Sequence, residues 1–261
     1  MDREGHDLQR FEGLRWVVAA LRGPEGCPWD RVQTHVSLRP FLLEEASEAL
    51  AALDEGDPAR LCEELGDLLV QVLLHVQIAE EQGEFTLADV VGGIADKLVR
   101  RHPHVFGEAV AETPEAVVEQ WERLKRNERV GESALGGVPP TLPALARAQA
   151  IQRRAVRAGF AWETVEQAWA SLEEELAELK AAPTPEEQRE EAGDVLFAAA
   201  ELARWLEVDA EEALHSTCRG FQSIFQRMEA GLRESGEGLE GLSLAEKLSR
   251  WESAKGKGSD D

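Results

Sequence analysis

What this chain has little of sets the first limits on what it does. It has three cysteines, Cys27, Cys62 and Cys218. An odd number without metal-ligand spacing argues against a disulfide framework and fits a reducing cytosol, with all three as small core or loop residues. No stretch approaches the roughly 20 apolar residues of a membrane span, and the opening MDREGHDLQRFEGLRWVV has no apolar run long enough for a signal segment. A soluble, cytoplasmic chain with no membrane partner is expected. Cations are scarce as well: 28 Lys and Arg stand against 51 Asp and Glu, a formal net charge of −23. General affinity for nucleic acid comes largely from basic contacts to phosphates, so no nucleic-acid partner is expected. A small polyanion held through bridging metal ions or a local basic cluster remains open. Much of the acidity needs no role beyond keeping the surface soluble.

Period-two alternation is also scarce. Apolar residues recur instead at i, i+3 and i+4 through Leu61–Ile78, Ala88–Val99 and Val195–Leu206, which predicts an all-α fold. Helix starts are marked by Thr184-Pro185-Glu186-Glu187 and Ser243-Leu244-Ala245-Glu246, each with a hydroxyl N-cap and a Glu three residues on. Gly56-Asp57-Pro58 and Ala182-Pro183-Thr184-Pro185 each separate two helices. Near the midpoint, residues 131–143 are rich in Gly and Pro and read as a linker between domains at 1–130 and 144–254, with 255–261 as a disordered polar tail.

The halves resemble each other. Leu-Leu-Glu-Glu-Ala-Ser-Glu at 42–48 matches Leu-Glu-Glu-Glu-Leu-Ala-Glu at 172–178, and Glu-Glu-Leu-Gly-Asp-Leu-Leu at 63–69 matches Glu-Glu-Ala-Gly-Asp-Val-Leu at 190–196. Trp121-x-x-x-Lys125 recurs as Trp251-x-x-x-Lys255, and Trp29 pairs with Trp162. The order is the same in both halves, as in a duplicated domain.

The repeated segments are acidic. One helix of each half carries Glu44, Glu45 and Glu48, or Glu174, Glu175 and Glu178; the next carries Glu63, Glu64 and Asp67, or Glu190, Glu191 and Asp194. Positions i, i+1 and i+4 fall within an arc of about 100° on a helix, so each helix presents three carboxylates on one side. A short turn makes the two helices antiparallel neighbours and brings both acidic patches together. Such like charges repel, and hard divalent cations with oxygen ligands would offset the cost. One Glu-rich helix alone would be a solvated face; two paired helices, repeated, favour a metal site. A di-iron bundle needs Glu-x-x-His on two helices, whereas the third position here is Glu48, Asp67, Glu178 or Asp194, which favours Mg²⁺ or Mn²⁺.

The chain's cations cluster in Asp96-Lys-Leu-Val-Arg-Arg-His-Pro-His-Val-Phe106, where Lys97, Arg100 and Arg101 crowd one helix end. They complement the helix dipole or they clamp phosphate, with Lys125 joining them. His102 and His104 flank a proline and read as loop-ordering residues rather than metal ligands. Trp29, Trp121, Trp162 and Trp251 read first as core residues, although Cys27-Pro28-Trp29-Asp30, followed by Gln33-Thr34, is a loop suited to reading a nucleobase.

Glu45-x-x-Glu48 followed by Glu64-x-x-Asp67, with Gly-Cys-Pro-Trp-Asp at 26–30, the basic run at 97–106 and Trp121-x-x-x-Lys125, closely resembles the MazG family. The resemblance runs through nearly the whole chain, duplication included. It implies two tandem all-α MazG-type domains, a homodimer in which helices from two chains complete each site, and Mg²⁺-dependent hydrolysis of nucleoside triphosphates to monophosphate and pyrophosphate. Ribo-, deoxyribo- and noncanonical nucleotides are the implied substrates, and nucleotide housecleaning the implied role.

By this resemblance Glu45, Glu48, Glu64 and Asp67 are metal ligands, with Glu175, Glu178, Glu191 and Asp194 as a second, weaker set. Glu44 orients or deprotonates the attacking water. Lys97, Arg100, Arg101 and Lys125 stabilise phosphate charge, and Trp29, Asp30, Trp121, Trp251 and Lys255 complete the substrate face. The second half departs from the pattern: Gly220, Ser223 and Ile224 stand where the first half has Lys97, Arg100 and Arg101. A nucleotide sensor without turnover, and an enzyme releasing orthophosphate, are the competing expectations from the residues alone.

Overall fold

The computed structural model describes residues 7–128 and 133–256, with the side chains at 119, 122 and 125–128 outside that description. Helices and one short 3₁₀ turn account for its regular structure, with no strand among the described residues. No helix among them is long and apolar enough to cross a membrane. The chain divides into two compact units, Met1–Val130 and Gly131–Asp261.

The first unit contains α1 (Phe11–Arg22), α2 (Pro28–Arg31), α3 (Arg39–Glu55), α4 (Pro58–Gln82), α5 (Leu87–Arg101), α6 (Pro103–Phe106) and α7 (Pro114–Glu128). The turn between α3 and α4 shows why the helices reverse there. Gly56 adopts a left-handed conformation at φ 66° that closes α3, and the Asp57 carboxylate accepts hydrogen bonds from the amides of Ala59 and Arg60 to open α4. The two helices then pack along each other. Leu73, Leu74 and Ile78 of α4 bury against Val18 of α1 and Leu38, and Phe41 and Val70 pack onto this core.

The second unit repeats the plan with α8 (Ala144–Arg157), α9 (Val165–Ala181), α10 (Pro185–Trp205), α11 (Ala210–Glu234) and α12 (Leu244–Gly256). Thr184 and Glu187 form the capping box expected at the start of α10, and Ser243 and Glu246 exchange the corresponding bonds ahead of α12. Gln149 of α8 is 1% exposed and ties three segments together. Its amide donates to the carbonyls of Ala200 and Val208, and its oxygen accepts from the Ala210 amide. A buried amide satisfied on both ends fixes how α8, α10 and α11 meet.

One boundary, that of the tail, differs from the sequence reading. Residues 133–143 of the expected linker lie within the second unit, where Arg154 donates to the carbonyls of Leu135 and Gly137; 131 and 132 lie outside the described residues. The expected tail begins later than residue 255, because α12 continues through Gly256. Ala254 is buried with Met228 and Leu232, and this contact holds the last helical turn that carries Lys255. Residues 257–261 lie outside the described residues.

Candidate metal centre and substrate face

The antiparallel pair α3 and α4 brings together carboxylates that are sixteen or more residues apart in sequence. Oxygens of Glu45, Glu48 and Glu64 lie within 4.8 Å of one another, and α9 and α10 gather Glu175, Glu178 and Glu191 in the same way. Asp67 and Asp194 stand beside these triplets, close enough for their charges to act on Glu45 and on Glu175 and Glu191. Partial burial, then the charges of Asp67, Glu48, Glu44 and Glu64, push the Glu45 carboxyl above its ordinary value. Glu175 and Glu191 are raised for the same two reasons. Converging hard oxygen donors that resist full ionisation by one another are what a divalent cation relieves. The donor set therefore fits a hard divalent cation.

The two clusters have different surroundings. Glu64 is 8% exposed and accepts a 3.3 Å hydrogen bond from Arg60 one turn earlier, while Arg60 also donates to Glu55 at 2.6 Å. Sequence reasoning missed Arg60, although its i, i+4 spacing from Glu64 was the available signal. In the second unit the position matched to Arg60 is Glu187, whose carboxylate is engaged by Thr184.

Helix α5 carries the basic run. Lys97 and Arg100 are exposed, whereas Arg101 is buried, so the three cations do not share one surface. The His102 Nδ1–H donates to the Leu98 carbonyl at 2.6 Å, ordering the turn into α6 as the sequence suggested. Trp121 lies on α7 and is 38% exposed; Lys125 follows on the same helix, with its side chain outside the described part. On α11, Arg219 and Ser223 are exposed and Ile224 packs against the Met228 cluster. Trp251 meets Phe221 with the rings tilted by 38° and their centroids 4.8 Å apart, and packs on the same cluster, a core role; Lys255 beyond it is exposed.

Trp29 and Asp30 lie in α2. The Trp29 ring is 51% exposed and meets Phe41 edge to face, with centroids 5.6 Å apart. Asp30 is half-buried, and its carbonyl accepts a hydrogen bond from Arg22. Arg22, absent from the residues singled out by sequence, reaches from α1 to this loop and to Glu81 of α4.

The class defined by this arrangement is an all-α protein whose paired antiparallel helices each hold an acidic, cation-fitting cluster. A model of the MazG nucleotide pyrophosphohydrolase domain matches residues 33–106, which span α3 through α6. Over 248 residues the chain is 45% identical to the nucleoside triphosphate pyrophosphohydrolase/pyrophosphatase MazG of Thermotoga maritima, covering 94% of this chain and 96% of that protein. It is 38% identical over 257 residues to a nucleoside triphosphate pyrophosphohydrolase of Escherichia coli, covering 95% and 98%. A protein of that name from Mycobacterium tuberculosis is 45% identical over 158 residues, 59% of this chain and 48% of its own length. The chain belongs to the MazG family of nucleotide pyrophosphohydrolases.

Proposed function

We propose that this chain hydrolyses nucleoside triphosphates, ribo- and deoxyribo- and noncanonical alike, to the monophosphate and pyrophosphate, working mainly through its first unit in a cytoplasmic housecleaning role. The observation that carries the reading is the convergence of Glu45, Glu48 and Glu64 within 4.8 Å on α3 and α4, inside the segment that matches the family domain.

Glu45, Glu48, Glu64 and Asp67 would hold Mg²⁺, with Mn²⁺ as a substitute. When bound, the metal supplies Lewis-acid polarisation of phosphoryl oxygens and neutralises their charge. Glu44, next to Glu45 on α3, orients a water and takes its proton. The water oxygen bonds to the α phosphorus, the bond from that phosphorus to the α–β bridging oxygen breaks, and the electron pair leaves on the bridging oxygen with pyrophosphate. Lys97 and Arg100, with Lys125, balance the charge that builds on the leaving group, while the buried Arg101 stands apart from that surface. Trp29 and Asp30 face the nucleoside, with Trp121 at the same surface. The second cluster binds metal without an equal phosphate clamp, and Lys255 is the cation of that unit that faces the substrate, with Trp251 as its support on α12.

The working form in this reading is a homodimer. Helix α5 exposes Val90, Val91, Ile94, Leu98 and Val99, each between 37% and 51%, more apolar helix surface than a stable single copy leaves to water. A second copy covers it, and sedimentation at micromolar concentration should give twice the 28.8 kDa chain mass.

The reaction is tested by incubating purified protein with each nucleoside triphosphate and Mg²⁺ and identifying the products. Monophosphate with pyrophosphate, abolished by EDTA, is expected. Orthophosphate with a diphosphate would overturn the reaction, and undiminished turnover in EDTA would overturn the metal.

A further inference from the structure

The loop from Gly26 to Gln33 is held with more order than its length requires. Gly26 lies so close to α1 that an added Cβ would sit 2.2 Å from the Leu21 carbonyl oxygen, a position that admits only glycine without displacement of the backbone. The Cys27 amide donates to that same carbonyl at 2.8 Å. Gln33 then closes the loop on itself: its side-chain amide donates to the Trp29 carbonyl at 3.0 Å, and its side-chain oxygen accepts from Ser37 at 2.7 Å.

The loop is tied to the rest of the unit through Arg22. This side chain is 5% exposed and spends its guanidinium in two directions. Nε and one terminal nitrogen donate to the two oxygens of Glu81, at 3.0 and 2.8 Å. The other terminal nitrogen donates to the carbonyls of Asp30 and Gln33. Gln77 adds a hydrogen bond to Glu81, and the Arg22 bonds hold the Glu81 carboxyl below its ordinary value. A planar fork that binds a carboxylate on one edge and two backbone carbonyls on another fixes the loop in angle as well as distance, which lysine cannot do.

Trp29 is what this clasp presents. One edge of its ring rests on Phe41, itself packed on the Val18–Leu73–Leu74 core, and the remainder is open. Phe41 begins the turn of α3 that leads to Glu44 and Glu45, so the tryptophan and the carboxylates share one rigid support. In the second unit, matching Trp29 to Trp162 places Ala155 at the Arg22 position, and the neighbouring Arg154 grips Leu135 and Gly137 instead.

We propose that Arg22 is a positioning residue for nucleotide binding: clamped by Glu81, it holds the Trp29 loop where the ring meets the nucleoside. The proposal rests on the reading of that loop as part of the substrate face. Arg22 touches no substrate and acts only through Trp29.

The test is a double-mutant cycle on the full chain, read by calorimetric binding of an α,β-methylene nucleoside triphosphate with Mg²⁺. Trp29→Ala should weaken binding about tenfold, as loss of one base–aromatic stack does. Arg22→Lys should weaken it severalfold and raise KM for the cleavable nucleotide while kcat stays within about twofold. Combined with Trp29→Ala it should add nothing further, since coupled residues are not additive. Glu81→Gln loosens the clasp without touching its apolar surroundings; it should give a smaller loss that also vanishes in the Trp29→Ala background. Wild-type affinity in Arg22→Lys, or a loss that multiplies with that of Trp29→Ala, would overturn the proposal. If Trp29→Ala binds as tightly as wild type while pyrophosphate release persists, the loop reading fails with the proposal and the proposed reaction stands. No binding by the wild type would remove both.

Discussion

The two carboxylate clusters are built on the same frame and sit in different company. In both units, two antiparallel helices joined by a short turn converge three glutamates within 4.8 Å. At the first cluster, Glu64 is nearly buried and bonded to Arg60, and the same unit carries Lys97, Arg100 and Arg101 on α5. Around the second, Glu191 is more exposed, Glu187 is engaged with Thr184, and α11 offers Gly220, Ser223 and Ile224 in place of the cations. The contrast separates what the fold requires from what the chemistry requires. Helix pairing keeps the backbone frame and aims the carboxylates as long as the apolar stripe and the turn are kept. Cations on a neighbouring helix contribute little to that packing, so one unit can lack them without losing its shape. Ile224 illustrates the exchange, because it serves the core around Met228.

The largest expected effect on this contrast comes from removing the first unit's cations. A charge-assisted contact to phosphate is worth about 1.5–3 kcal/mol, so Lys97→Ala with Arg100→Ala should lower kcat/KM on the order of 10²-fold or more. Arg219→Ala should leave most of the activity. Equal losses from the two changes would erase the functional difference between the units.

A smaller effect sharpens the electrostatic side. The Glu191 carboxyl is pushed up by burial and by Glu178, Asp194, Glu175 and Glu190, so Glu191→Gln without metal should raise the thermal midpoint by about a degree. Glu64→Gln weakens the bond from Arg60 as it relieves repulsion, and its midpoint should stay level or fall. Calorimetry in EDTA compares them directly, and a rise in both would mean that Arg60 contributes nothing to the first cluster.

The smallest effect lies away from both clusters. His35 and His75 stack at 5.0 Å with their Nδ1 atoms 2.7 Å apart, and His35 Nε2 lies 3.7 Å from Glu84. Burial, then the neighbouring His35, lowers His75 below the ordinary 6.5. The unfolded chain therefore binds the proton more readily than the folded one. The stability His75 contributes is present above the ordinary imidazole value and is lost as pH falls through it toward the lowered folded value. Wild type should lose more stability than His75→Gln between about pH 7.5 and about pH 5.5. Parallel pH profiles would show that the imidazole pair is uncoupled from folding.

Much of this was legible in the residues. The 3.6-residue period gave the helices, the Gly56-Asp57-Pro58 and Ala182–Pro185 punctuation gave the reversals, and spacing alone placed Glu45 and Glu48 on one side of α3. Side-chain bonds that cross long stretches of chain were not legible. Arg22 reaches Glu81 across 59 residues, and Gln149 binds carbonyls and an amide 51 to 61 residues away; neither carries a local pattern, since the bond exists only after helices pack. The burial of Arg101 was hidden for the same reason: the run Lys97–Arg101 reads as one basic patch until the helix turns the last side chain inward. The end of α12 was misjudged because polar residues at 255–261 read as solvent-facing, while Ala254 just before them is drawn into a core.

In the proposed function the first unit's carboxylates carry the hydrolysis. Its most direct measurement is product formation by Glu45→Ala and Glu64→Ala beside Glu175→Ala and Glu191→Ala, with helical content and dimer mass verified for each variant. Pyrophosphate release should be nearly eliminated in the first pair and largely kept in the second. Active first-unit variants with inactive second-unit variants would contradict it and assign the phosphate chemistry to the unit that carries Arg219 and Lys255.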